Sequence, residues 1–235
     1  MSITESVKEV RERVWRAAVR SGRSAEDIIL VAASKMNSAE RVREAFGAGI
    51  LVFGENRVQE MLEKTRLGAY KGAEIHMIGS LQKNKVRNVV GLCSLIQSVD
   101  SSELMEAIAK RAVSEGITQD ILIEVNIGRE ESKSGVMAER LPEILAFASE
   151  LSGVSVKGLM AIPPAGESTI KARNYFEEMR KLFVDTEAKK YDNVSMKILS
   201  MGMSDDFEEA ILAGANMVRV GSAIFGERAY PAKQQ

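Results

Sequence analysis

The chain is short of everything that would tie it to a structural metal, an oxidising compartment or a membrane. Its 235 residues include one cysteine, Cys93, and one histidine, His76. A single cysteine excludes an intrachain disulfide, and the two residues together are too few soft ligands for a zinc site, so no metal and a reducing compartment are expected. No stretch approaches the roughly 18 apolar residues of a membrane span, and the opening MSITESVKEVRERVWRAAVR lacks the apolar core of a secretory signal. A soluble, cytoplasmic protein without membrane contact is the expectation. An excess of one charge is missing too: 33 acidic side chains face 32 basic ones, with no run of five like charges. Nucleic acid is thereby disfavoured as a partner. With only 4 prolines and no Gly/Ser-rich linker, nothing marks a boundary, and one domain over 1–235 is expected.

What the chain does have is a regular alternation of two kinds of segment. Short aliphatic runs predict strands at 28–34, 50–54, 74–79, 95–99, 121–127, 155–162, 196–201 and 217–221, each separated from the next by a stretch of helical spacing. Helix starts are read at Ser38, at Asp100 with Glu103, and at Ser204, and glycines 47, 49, 116 and 214 stand where helices should stop. Eight strand–helix units in a chain of this size predict an α/β fold, a parallel (β/α)8 TIM barrel, preceded by an amphipathic helix over about residues 3–20. The competing open, doubly wound sheet would want a G-x-G-x-x-G turn after the first strand, and none is there.

Barrels of this kind work at the C-terminal ends of their strands, which selects a few residues. Lys35 follows the first strand in phase with Val31 and Ala33, so alternation sends all three to one face. If that face is the interior, burial lowers the lysine pKa and leaves an amine able to condense with an aldehyde; on the other face Lys35 is a solvated lysine. The segments LSMGMSDD and VRVGSAIFG after strands seven and eight bring Gly202, Gly221 and Ser222 together with the hydroxyls of Ser200 and Ser204, either as a phosphate cradle or as ordinary turns and caps. Arg219 shares the inward phase of Gly221; as a permanent donor it would impose an acceptor role on a ligand atom, or else pair with an acid such as Glu124 or Asp100. Asn56 ends the second strand, placed to bond a polar ligand or to cap a helix. Met201 and Met203 read as core with a possible pocket face. His76, Lys83, Lys85 and Lys133 receive no role.

Taken in order, LVAASK, FGENRVQE, HMIGSLQKNK, GLM, LSMGMSDDFEEAI and VRVGSAIFG resemble the pyridoxal phosphate homeostasis protein family along nearly the whole chain. That family is similar in fold to the N-terminal barrel of alanine racemase, the fold-type III PLP barrel. The resemblance implies pyridoxal 5′-phosphate (PLP) carried as a Schiff base on Lys35, phosphate bound at Ser200, Gly221 and Ser222, Arg219 facing the pyridine nitrogen, and Asn56 close to the ring. It implies no catalytic residue. The function implied is buffering or delivery of PLP in intracellular vitamin B6 homeostasis, with PLP-requiring apo-enzymes as transient partners. The alternatives are a PLP-dependent amino-acid racemase, or more remotely a Schiff-base aldolase. The similar racemases take a second base from an additional C-terminal domain, which 14 residues beyond the eighth strand are not expected to supply. Ile75 replaces the family's usual aromatic and is expected to loosen the wall of the site; Ser222 stands where threonine is common. No exposed apolar heptad calls for an oligomer, so a monomer is expected.

Overall fold

Runs of β-branched and aliphatic residues buried on both faces become eight strands: β1 Ile29–Ala33, β2 Val52–Glu55, β3 Glu74–Met77, β4 Leu95–Val99, β5 Gln119–Val125, β6 Val154–Ala161, β7 Val194–Ser200 and β8 Met217–Val220. In the computed structural model, which describes residues 1–130, 132–164, 166 and 169–226, they pair in parallel in chain order, and β8 closes on β1. The expected (β/α)8 barrel is the fold. Residues 227–235, the end of the expected domain, lie outside the described residues. Helices cover the outside: α1 Ile3–Arg20, α2 Ala39–Gly47, α3 Val58–Arg66, α4 Ser102–Ser114, α5 Leu141–Ser149, α6 Thr169–Glu187, α7 Phe207–Leu212 and α8 Ser222–Phe225. The extra N-terminal helix α1 starts at a capping box, in which Ser2 and Glu5 each bond the other's backbone N–H. Its stripe of Val7, Val10, Val14, Ala17 and Ala18 is buried.

Three local expectations change. Between β3 and β4 only a 3-10 helix forms, Lys83–Asn88, because two asparagines and β-branched Val86, Val89 and Val90 leave that short connection poor in helix formers. The cap of α4 is Ser101, not Asp100: its hydroxyl accepts from Leu104 N. At α7 the N-cap is Asp206, and Ser204 is used elsewhere.

Two apolar clusters result, one between the strands and the helices and a small one inside the barrel made of Val31, Leu95, Leu122, Met160 and Met217, against which Val52 and Ile198 pack. Moving two residues along each strand toward its C-terminal end gives the next inward layer: Ala33, Gly54, Gln97, Glu124, Ser200 and Arg219. The apolar plug thus carries a polar layer, small at β1 and β2 and charged at β5 and β8.

The cost of that layer is legible at Glu124. Burial, with Asp100 adding repulsion and Arg219 partly offsetting both, pushes its carboxyl up to about 7. A folded carboxyl that holds its proton more tightly than the unfolded one loses stability as pH rises from about 4.5 to about 7, and the loss is then complete. At 1.36 kcal/mol per pH unit this amounts to about 3 kcal/mol. Denaturant titrations at pH 4 and pH 8 should therefore show Glu124→Gln gaining about that much on the wild type between the two; parallel curves would mean that Glu124 ionises freely in the barrel.

Candidate functional site

The seam β8–β1–β2 brings the sequence-predicted residues to one end of the barrel. The register pairs Val31 with Arg219 and Ala33 with Gly54. Counting on from these pairs puts Lys35 and Asn56 at the same level on adjacent strand ends, with Arg219 about four residues deeper. Lys35 is half-buried just past β1. Asn56 comes close because residue 79 is glycine: a Cβ there would sit 2.4 Å from Asn56 O. Among the described residues, Asn56 Oδ1 is buried without a hydrogen-bond partner. Such an acceptor costs about 1–3 kcal/mol until a donor reaches it.

On the other side of Lys35, Gly221 lies against β1. A Cβ on it would meet Ala33 O at 3.3 Å. Gly221 N and Ala223 N both point at Ser204 Oγ, at 3.0 and 3.3 Å, and Ser222 is exposed at the start of α8. A hydroxyl oxygen receiving two backbone N–H groups occupies the place an anionic oxygen would take. Gly202, at φ +91, makes this possible: a Cβ would stand 2.6 Å from Ala210 Cβ, so only glycine lets the chain after β7 fold back over α7. Ser200 does not join this group. Fully buried in the polar layer, its hydroxyl accepts from Arg219 Nη1 at 2.6 Å and donates to Gln97 Oε1 at 2.7 Å. Ser204, weighed in the sequence beside Ser200, is the serine at the amides of Gly221 and Ala223.

Arg219 is 4% exposed and donates also to Ala161 O at 2.9 Å. Burial drives its pKa down to about 10, against the opposing fields of Glu124 and Asp206, so it stays a cation at neutral pH. The anticipated ion pair with Glu124 or Asp100 is not what holds it: its hydrogen bonds go to neutral oxygens and Glu124 acts through space. A chain continues inward from it. With Gln97 Oε1 taken by Ser200, the Gln97 amide faces His76 Nδ1 at 2.9 Å, so His76 carries its proton on Nε2, which lies 3.4 Å from Glu74 Oε2. Every donor in the series points away from Arg219, an arrangement in which each bond polarises the next. His76 and Gln97 are therefore parts of the site's floor that the sequence did not assign. Alternation could have found Gln97, two residues beyond the inward Leu95.

Other expectations resolve simply. Ile75 belongs to the outer cluster between strands and helices, so it does not loosen the wall of this site. Met201 is wholly buried in the same cluster and Met203 is partly exposed. Among the described residues no group of acids, histidine and cysteine could hold a metal ion, and no helix is long and apolar enough to cross a membrane.

Comparison with known proteins agrees along the length of the chain. Residues 13–229 match the family model described as alanine racemase, N-terminal domain. The pyridoxal phosphate homeostasis protein of Aquifex aeolicus is 45% identical over 230 residues, which cover 98% of this chain and 100% of that protein. Its counterpart in Escherichia coli strain K12 is 39% identical over 235 residues, covering 98% and 99%. A solved structure, PipY of Synechococcus elongatus PCC7942 with PLP bound, superposes with a TM-score of 0.80 at 33% identity over 92% of this chain and 100% of that one. Identity of this degree over whole chains, on the same barrel, means that the chain belongs to the pyridoxal phosphate homeostasis protein family, within the alanine racemase N-terminal domain fold.

Proposed function

We propose that the chain, as one domain over 1–235, binds pyridoxal 5′-phosphate at Lys35 as a Schiff base and serves intracellular vitamin B6 homeostasis as a carrier, buffering PLP or delivering it to apo-enzymes that require it. The observation that carries this reading is the convergence at one seam of a half-buried lysine, two backbone amides aimed at a single oxygen, a buried arginine and an unpartnered amide oxygen. These residues fit the cofactor. Gly221 N and Ala223 N suit phosphate oxygens, with Ser204 and Ser222 beside them; Asn56 Oδ1 suits a ring hydroxyl; and Arg219, which can only donate, suits an unprotonated pyridine nitrogen. When bound, the cofactor supplies an aldehyde carbon with which an amine condenses, releasing water.

Arg219 keeps its proton and donates to whatever it meets, so it withholds the protonated nitrogen that would make the ring a strong electron sink; similar racemases have such an arginine too, so the choice of a carrier over an enzyme rests on the relatives. The relatives are named for homeostasis and not for a reaction. A cytoplasmic monomer is part of the same reading; the buried, unpaired Cys93 suits a reducing compartment.

Three measurements test it. Borohydride reduction of the PLP-loaded protein should leave its mass adduct on Lys35, and Lys35→Ala should lose both adduct and absorbance while keeping its circular dichroism; an adduct on another lysine would displace the site. Pyridoxal, which lacks the phosphate, should bind at least a hundredfold more weakly than PLP, because two or more charge-assisted bonds at about 1.5–3 kcal/mol each are lost. Equal affinities would reduce the Gly221 segment to a turn. Loaded protein incubated with L-alanine should form D-alanine far more slowly than about 1 s⁻¹, an ordinary enzymatic rate; turnover at that rate would make it a racemase.

A further inference from the structure

Outside the barrel wall, between β2 and α3, lies a charged cluster that the site as described does not use. Glu55 is wholly buried and Lys64 nearly so. Lys64 Nζ lies 2.7 Å from Glu55 Oε1, and the Ser34 hydroxyl and the Tyr70 phenol, the latter at 3.0 Å, donate to the same oxygen. Among the described residues, Glu55 Oε2 has no hydrogen-bond partner. Burying an ion pair is a poor route to stability, since apolar residues of the same volume commonly do as well or better. A carboxylate with three donors crowded on one oxygen and none on the other has the mark of a group holding other things in place.

What it holds is the backbone on either side of Lys35. Lys64 Nζ donates to Ser34 O at 2.7 Å, the carbonyl of the peptide bond that enters Lys35. One helical turn earlier on α3, Glu60 Oε2 accepts from Met36 N at 2.8 Å, the amide of the peptide bond that leaves it. Met36 has φ +61, a left-handed conformation that a non-glycine residue keeps only when its surroundings hold it there. Asn37 completes the grip: its side-chain amide donates to Lys35 O at 3.1 Å, and its backbone N to Ser34 O at 3.1 Å. The strand end is thus fixed from outside the barrel while the lysine is presented at the mouth.

We propose that Lys64 and Glu60 of α3, with Glu55 as the counter-charge of Lys64, are positioning residues that orient Lys35 for covalent capture of the PLP aldehyde. This rests on Lys35 being the cofactor lysine. Neither residue touches the cofactor; both act through the two peptide groups that flank the lysine. Capture of the aldehyde should then depend on them, while non-covalent recognition of phosphate and ring, built on Gly221, Ala223 and Arg219, should not.

The test compares PLP with pyridoxamine 5′-phosphate, which has the phosphate and ring but no aldehyde, on full-length wild type, Lys64→Met and Glu60→Ala. Methionine matches the lysine stem in length and packs where the charge was. Lys64→Met is expected to bind PLP at least tenfold more weakly and to form the borohydride-trappable adduct more slowly, with pyridoxamine 5′-phosphate affinity within twofold of wild type. Should Lys64→Met not fold, Glu60→Ala carries the test: the Met36 amide should exchange with solvent at least tenfold faster and PLP should again lose more than pyridoxamine 5′-phosphate. Equal losses for both ligands, or no loss for either, would overturn the proposal by making the cluster merely structural. An adduct on a lysine other than Lys35 in the wild type would instead overturn the underlying site, before any variant is compared.

Discussion

Arg219 carries a guanidinium into the interior of a closed barrel, and much of the surrounding architecture follows from making that tolerable. Burial opposes its charge strongly enough to bring its pKa to about 10. Nothing apolar can surround such a group, so the layer above the apolar plug must supply oxygen. Ser200 and Ala161 do so directly, and Gln97, His76 and Glu74 extend the series through the interior to the opposite end of β3. Glu124 completes the balance without contact, and it pays with a carboxyl held near neutrality. The cation that defines the floor of the site thus also dictates why β4, β5 and β7 have polar residues where a barrel of this size would ordinarily be filled with aliphatic ones.

The second constraint is register. Parallel pairing of β1 with β8 sets Val31 beside Arg219, and pairing with β2 sets Ala33 beside Gly54. One more pleat brings Lys35 to the rim between Asn56 and Gly221. A slip by one residue would turn Lys35 toward the helices and Ser34 into the barrel, exchanging the site for the buried ion-pair cluster. The glycines at 54 and 221 belong to this geometry: at 54 a Cβ would collide with Ile78 Cδ1 at 2.6 Å inside the barrel, and at 221 the chain must run close to Ala33.

Much of this was legible in the sequence because parallel strands buried on both faces announce themselves as aliphatic runs, and because alternation fixes the facing of Lys35, Arg219 and Gly221. What escaped had physical reasons. β5 starts at Gln119, two residues before its aliphatic run, since the glutamine amide is satisfied by Cys93 O and Gly91 N and so enters the sheet at little cost. Ser200 and Ser204 could not be ranked from pattern alone: alternation gives a side chain's face and not its depth, and the position of Ser204 depends on the turn that Gly202 makes over α7. The Glu55–Lys64 pair gave no local signal whatever. Nine residues apart and on different elements, the two read as a strand-end acid and a helix lysine, and only the packing of α3 against the barrel joins them.

Two polar systems therefore flank the same strand end from opposite sides of one β-sheet. The interior series belongs to the barrel's side: it runs from Arg219 through Ser200, Gln97 and His76 to Glu74, and its hydrogen bonds fix how the guanidinium is held. The exterior cluster belongs to the backbone's side, where Lys64 and Glu60 grip the peptides before and after Lys35. Separating the two divides the work between them: a grip on the peptides before and after Lys35 fixes where its Cα–Cβ bond leaves the strand, and the groups that make that grip pack behind the sheet instead of crowding the mouth of the barrel.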